Sequence, residues 1–202
     1  MSQNNLRHIF FKISFSVICL LAAMSVAAQD NPSKVPAPQD NPFSAHNWLQ
    51  YAVLKHIVLE SAEKMPEENY GFKPTEIVRS YGKILGHIAD AQYFFCSAAL
   101  GQKSRLPNVE KTKTSKSDLI AALKESFAYC DQAYDPMTDA AGLQMVKLMG
   151  TDTPKLAALM NNNAHTSSHY GNLVTYLRMK NVVPPSSEPG FVQQMQRLQQ
   201  KK

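Results

Sequence analysis

The chain has 202 residues, enough for one domain with a terminal extension. Its 21 basic and 16 acidic residues give a formal net charge of +5, too mild a surplus to imply nucleic-acid binding. Three cysteines exclude a disulfide-framework miniprotein and a four-cysteine zinc site.

Residues 1–28 have the form of a secretory signal peptide. Arg7, His8 and Lys12 make a basic start, Ile13 to Ala23 is apolar, and Val26-Ala27-Ala28 offers the small residues that signal peptidase accepts. The apolar run ends at Ala28, short of the roughly 18–20 residues of a spanning helix. The expectation is cleavage after Ala28, export to the periplasm or beyond, and no stable membrane span afterwards. An uncleaved anchor is the alternative. Cys19 follows Val17-Ile18 and lacks the small residue of a lipoprotein box. Cleavage would remove two basic residues, one histidine and one cysteine. The mature chain would keep a small positive excess, Cys96, Cys130 and five histidines.

Residues 29–43 form a polar, proline-rich leader without periodicity. From Ser44, an available N-cap, the apolar positions Ala45, Trp48, Leu49, Ala52, Val53, His56, Leu59 and Ala62 recur at helical spacing and end at Met65-Pro66. Ser80 caps a second predicted helix, with Ile84, Leu85, Ile88, Ala91, Phe95, Cys96 and Ala99 on one face up to Gly101. Residues 102–116 read as a basic, solvated loop. A third helix runs from Ser117 through Leu123, Phe127 and Cys130, stopping before Pro136. The stretch 137–152 is expected to hold one short helix around Leu143 to Met149. A fourth starts at Thr153-Pro154, with Pro at the favoured first position, and ends near Asn181. The polar tail 188–202 reads as a frayed helix at most. Four amphipathic helices and no convincing strand predict an all-α, four-helix bundle over residues 44–187.

The sharpest motif is His165-Thr-Ser-Ser-His169. An i,i+4 pair puts both imidazoles on one helix face, within reach of one metal ion. Thr166 stands where a zincin carries its glutamate, so that mechanism is excluded. His87, bordering the apolar face of the second helix, is the candidate third ligand. His56 is the reserve ligand or a pocket-lining group, and His46 is left in solvent. Asn162, Asn172 and Tyr176 share the face of the histidine pair and are read as pocket-lining, because such a polar stripe needs partners if buried. A hydrated outer face would serve them equally. Asp90 and Tyr170 neighbour the candidate ligands but face other ways on their helices, so no catalytic base is identified.

The sequence resembles the DinB/YfiT-like superfamily of bacterial metalloenzymes. The carriers are MPEENYGFKPTEIVRSYGKILGHIADAQ (65–92) and AHTSSHYGNLVTYLRMKNVVPPSS (164–187), within a match from about Phe43 to Ser187. The resemblance implies a four-helix bundle in up-down-down-up order and a three-histidine divalent-metal site on His87, His165 and His169. Zinc and nickel both suit imidazole. Three neutral imidazoles leave positions open for water or substrate, and relatives include thiol-dependent transferases and isomerases. The implied function is an exported metalloenzyme of transferase or hydrolase type, activating water or a thiol toward an unidentified small molecule. The alternative is a non-catalytic metal- or ligand-binding envelope stress protein. Relatives also suggest a homodimer.

The implied order makes the second and third helices parallel, which brings Cys96 and Cys130 to similar heights. An antiparallel hairpin would offset them by about 12 Å at the helical rise, beyond bridging. A disulfide and two separate buried thiols are both open. Met145, Met149 and Met160 are read as core fillers rather than copper ligands.

Overall fold

The computed structural model describes residues 40–199. The expected signal peptide and nearly all of the leader lie outside the described residues. Among those described, four long helices dominate: α1 (Pro42–Lys64), α2 (Tyr81–Ala99), α4 (Lys116–Tyr134) and α6 (Lys155–Met179). Short helices α3 (Val109–Thr112), α5 (Asp139–Gly142) and α7 (Phe191–Gln199), 3-10 turns at Glu67–Asn69 and Pro185–Ser187, and a hairpin, β1 (Met145–Leu148) with β2 (Thr151–Pro154), accompany them.

The start signals are a mixture of local and distant caps. Ser80 Oγ accepts the Lys83 N–H and Ser115 Oγ accepts the Asp118 N–H, each satisfying a donor of the first turn. The expected cap at Ser44 is different. Ser44 lies inside α1 and is buried, and its N–H donates at 2.7 Å to Asp139, which also takes the Phe43 N–H. Asn41 returns the bond by accepting the Asp139 N–H at 2.9 Å. A carboxylate 95 residues away thus caps α1, which no local pattern reveals.

Helix directions follow from side-chain contacts. Near their N-termini, α2 and α4 meet where a Cβ on Gly82 would touch Leu119. Near their C-termini, Cys96 and Cys130 are joined by a disulfide, with Cα atoms 5.3 Å apart. The two helices are therefore parallel. In contrast, α6 runs against α2, with Tyr176 donating to the Arg79 carbonyl at one end and Asn162 to Gln92 farther along. Lys116 reaches the Glu63 and Met65 carbonyls, and Tyr51 reaches Asp131, so α1 and α4 are antiparallel. Asn163 binds Asn47 between the parallel α1 and α6. The core includes Val58, Leu85, Ile88, Leu119, Leu123, Phe127, Leu159, Leu173 and Leu177, none of them exposed.

The hairpin corrects the expected helix at Leu143 to Met149. Met149 (φ 52°) and Gly150 (φ 82°) both adopt left-handed backbone, as a two-residue hairpin turn with right-handed strand twist requires. Val146 and Leu148 face inward while Met145 and Lys147 face out, a period of two that Met, Leu and Lys disguise because all are good helix formers. Met145, Met149 and Met160 are not core fillers: they are 57%, 82% and 55% exposed. In the C-terminal tail, α7 packs on α1, and Lys64 pairs with Glu188 just before it. No helix among the described residues is long and apolar enough to cross a membrane.

Candidate metal centre

The 3.6-residue period of α6 stacks His165 and His169 one turn apart on the face turned toward α2. Because α2 runs the other way beside it, His87 arrives opposite the pair. Its Nε2 lies 3.1 Å from His165 Nε2, and its ring centre lies 4.7 Å from that of His169. The His165 and His169 rings are 4.5 Å apart. Each residue offers one ligand atom, and these atoms all lie within 4.8 Å of one another. All three side chains are half-buried, and the Phe95 ring sits 5.6 Å from His165.

Burial disfavours charge on these rings. It pushes His165 down to about 4, with the neighbouring His169 and His87 adding to the effect. His169 is lowered as well, by burial first and His87 second, against an opposing hydrogen bond to Asn172. Neutral imidazoles are the metal-binding form.

The donor set fits a divalent ion. Two nitrogens sharing a tetrahedral zinc at about 2.0–2.1 Å stand about 3.3 Å apart, close to the His87–His165 separation. Moreover, His165 Nδ1 and His169 Nδ1 are buried without a hydrogen-bond partner. Two buried ring nitrogens without partners are costly unless an ion or water takes them.

A carboxylate completes the cluster. Glu110 Oε2 lies 2.9 Å from His87 Nδ1, and Arg79 Nε donates to Glu110 Oε1 at 2.8 Å. Burial opposes ionisation of Glu110, but the Arg79 and His87 hydrogen bonds outweigh it and hold the carboxyl below its usual range. A carboxylate has no proton to give, so His87 Nδ1 carries the hydrogen and its Nε2 lone pair faces the other histidines.

Beside the cluster opens a cavity of ≈ 550 Å³, whose wall includes Arg79, Glu110, His169, Asn172 and Tyr176 with Ile77 and Val78. Asn172 and Tyr176 therefore line this cavity, whereas His56 and Asn162, read with them as pocket-lining, do not line it. His56 lies 2.9 Å from Glu60 and faces a separate concavity between α1 and α4 with Trp48, Tyr51 and Asp131. Its apolar-face position on α1 reads the same for either side of that helix. Asn162 is buried away from the histidines, donating to Gln92 at 2.8 Å and to Tyr134 at 3.2 Å. There the Asn162 amide N–H groups are taken up by α2 and α4, while its Oδ1 is buried without a partner.

Of the two ligand neighbours, Tyr170 bonds Ser186. Asp90 accepts the N–H groups of Val109 and Glu110 and so fastens α3. Glu110 and Arg79 are the functional residues that sequence reasoning missed. The expected loop 102–116 is exposed up to Asn108, but Val109 is buried and Glu110 half-buried. The available signal was that Glu110 is the sole acid in that basic run.

Comparison with known proteins places this geometry in a family context. A family model described as the DinB superfamily matches residues 50–173. The uncharacterized protein YjoA of Bacillus subtilis (strain 168) is 23% identical over 128 residues, covering 61% of this chain and 82% of that protein. A crystal structure of a DinB-like protein from Bacillus cereus ATCC 10987 superposes with a TM-score of 0.58 at 16% identity, covering 68% of this chain and 93% of the other. At that identity the structural likeness concerns the fold.

Proposed function

Since the chain belongs to the DinB superfamily, we propose that it is an exported metalloprotein in which His87, His165 and His169 hold a zinc or nickel ion. The reaction is of transferase or hydrolase type on a small molecule, with water or a thiol as nucleophile. The carrying observation is the convergence of three imidazole ligand atoms within 4.8 Å. A divalent ion on three neutral imidazoles keeps positions open and makes a water or thiol there acidic enough to ionise near neutral pH.

The chain's own residues supply the rest. Burial disfavours the charged forms of His165 and His169, and Glu110 lies against His87. The cavity brings ligand to His169 past Arg79, Asn172 and Tyr176. Its size suits a small molecule, and that access favours an enzyme over a sealed structural site. Export is supported by the signal-like residues 1–28 and by the Cys96–Cys130 disulfide, a bond that persists in oxidising compartments.

Metal analysis of the purified protein beside a His165→Ala/His169→Ala variant tests the site. About one equivalent of divalent metal is expected in the wild type and a small fraction of that in the variant. Equal content in both refutes the assignment. A thiol-dependent or hydrolytic turnover abolished by chelation supports the enzyme reading; turnover that survives complete metal removal refutes it.

A further inference from the structure

Glu110 is held more firmly than a residue of a connecting segment needs to be. Gly86 makes a notch in α2 immediately before His87: a Cβ there would stand 2.7 Å from Glu110 Cα and 2.9 Å from Glu110 N. The α3 backbone therefore lies directly on α2, which only glycine permits. Asp90, one turn on, accepts the Val109 N–H at 2.9 Å and the Glu110 N–H at 3.0 Å. Lys83, one turn before His87, donates to the Glu110 carbonyl. With the backbone fixed on both sides, Arg79 takes one carboxylate oxygen and leaves the other for His87 Nδ1.

We propose that Glu110 is a positioning residue of the histidine centre, fixing the tautomer and ring orientation of His87, and that Gly86 and Asp90 act on the centre through it. The proposal rests on the metal reading above for its consequence, but the tautomer itself needs no metal. An imidazole with its hydrogen on Nδ1 must present its lone pair at Nε2, the atom that faces His165. Without Glu110 the hydrogen can sit on either nitrogen and the ring can rotate. Both freedoms must then be lost again before Nε2 can bind an ion. A mere strap for the 100–115 connection needs Asp90 and Arg79, but gains nothing from an oxygen placed on a histidine nitrogen.

The test uses Glu110→Ala, Glu110→Gln, Gly86→Ala and the Gly86→Ala/Glu110→Ala pair. Zinc affinity is read by competition with a chromophoric chelator. Ring-nitrogen NMR of the metal-free protein reads the tautomer. Glu110→Ala should weaken zinc binding about 10- to 100-fold, the usual effect of losing such a partner. It should also turn a single Nδ1–H signal of His87 into a mixture. Glu110→Gln, whose amide oxygen can accept the same bond, should keep the tautomer and most of the affinity. The double variant should bind no more weakly than Glu110→Ala alone, since both changes remove one interaction. Zinc affinity within twofold of wild type in Glu110→Ala, or an unchanged tautomer, overturns the proposal. So does a lowered melting temperature with affinity intact, which would make Glu110 a strap only. A wild type that binds no zinc or nickel refutes the metal reading instead, and the tautomer measurement then decides Glu110 by itself.

Discussion

The Cys96–Cys130 bond closes a segment of 34 residues, and both sulfurs are buried. Its removal is a sharp test of how the bundle is held. In the chain-entropy account, a loop of this length withholds about 12.6 cal/mol/K from the unfolded ensemble, or about 3.8 kcal/mol at 25 °C. For a domain of this size each kcal/mol moves the melting temperature by about 2–4 °C, so reduction should lower it by about 8–15 °C. Reduction is a better perturbation than alanine substitution, because both sulfur atoms stay in the core and no cavity is made. Buried sulfurs are reached only in the unfolded chain, so the protein is reduced in denaturant and refolded with reductant present. Thiol titration then verifies two free cysteines before the melt. His87 lies nine residues from Cys96 on α2, about 13 Å along the axis, so metal affinity of the refolded reduced protein should stay within a few-fold. A reduced protein melting within about 2 °C of the oxidised one would refute the entropic account. Two free thiols in the untreated protein would refute the bond.

Two further outcomes follow from local features. His165 ionises at about 4 in the folded protein against 6.5 ordinarily, so the unfolded chain takes up its proton first as pH falls. The metal-free protein should therefore lose stability between about pH 6.5 and about 4 and hold it above that window. The bound of about 3.4 kcal/mol shrinks to about 1–2 kcal/mol for a ring that water partly reaches. Urea midpoints across this range check it; His165→Ala should flatten the slope, and a slope unchanged by that variant would contradict the assignment. At the hairpin tip, Met149 holds a positive φ of 52° and is 82% exposed. Met149→Gly should stabilise the protein by about 0.5–1 kcal/mol, because it relieves left-handed strain without losing buried contact. Destabilisation on chemical denaturation would show that the methionine contributes packing instead.

What could be read from the sequence was whatever repeats at the helical period. The four long helices, the Ser80 cap and the His165–His169 pair each leave a pattern in consecutive residues. His87 joins the pair through its place at the apolar face of its helix and the family resemblance. The rest depends on pairings between distant residues. Asp139 caps α1 across the bundle, a role invisible in either segment. Asn162 shares the histidine face of α6 by spacing, yet its height on that helix sets it against Gln92 and Tyr134 rather than the cavity. The β-hairpin was hidden because Met145, Lys147, Leu148 and Met149 are residues that helices favour, and only the left-handed pair Met149-Gly150 marks the turn. Glu110 was hidden because nothing in a basic loop indicates where the loop passes.

Where the loop passes follows from helix order. Parallel α2 and α4 cannot be joined by a tight turn; the connection must return along the bundle by nearly the length of α2, about 28 Å for its 19 residues. Residues 100–115 have ample contour for this at about 3.3 Å per extended residue, with enough slack for the single turn of α3. A returning chain crosses the middle of α2, which is where His87 stands, and Gly86 lets it cross at backbone contact. The parallel arrangement thus does two things for the centre. It aligns Cys96 with Cys130, which pins α2 to α4, and it carries an acidic residue past the one candidate ligand that α6 does not supply. An antiparallel pair joined by a short turn would offer neither, and His87 would have to take its orientation from solvent.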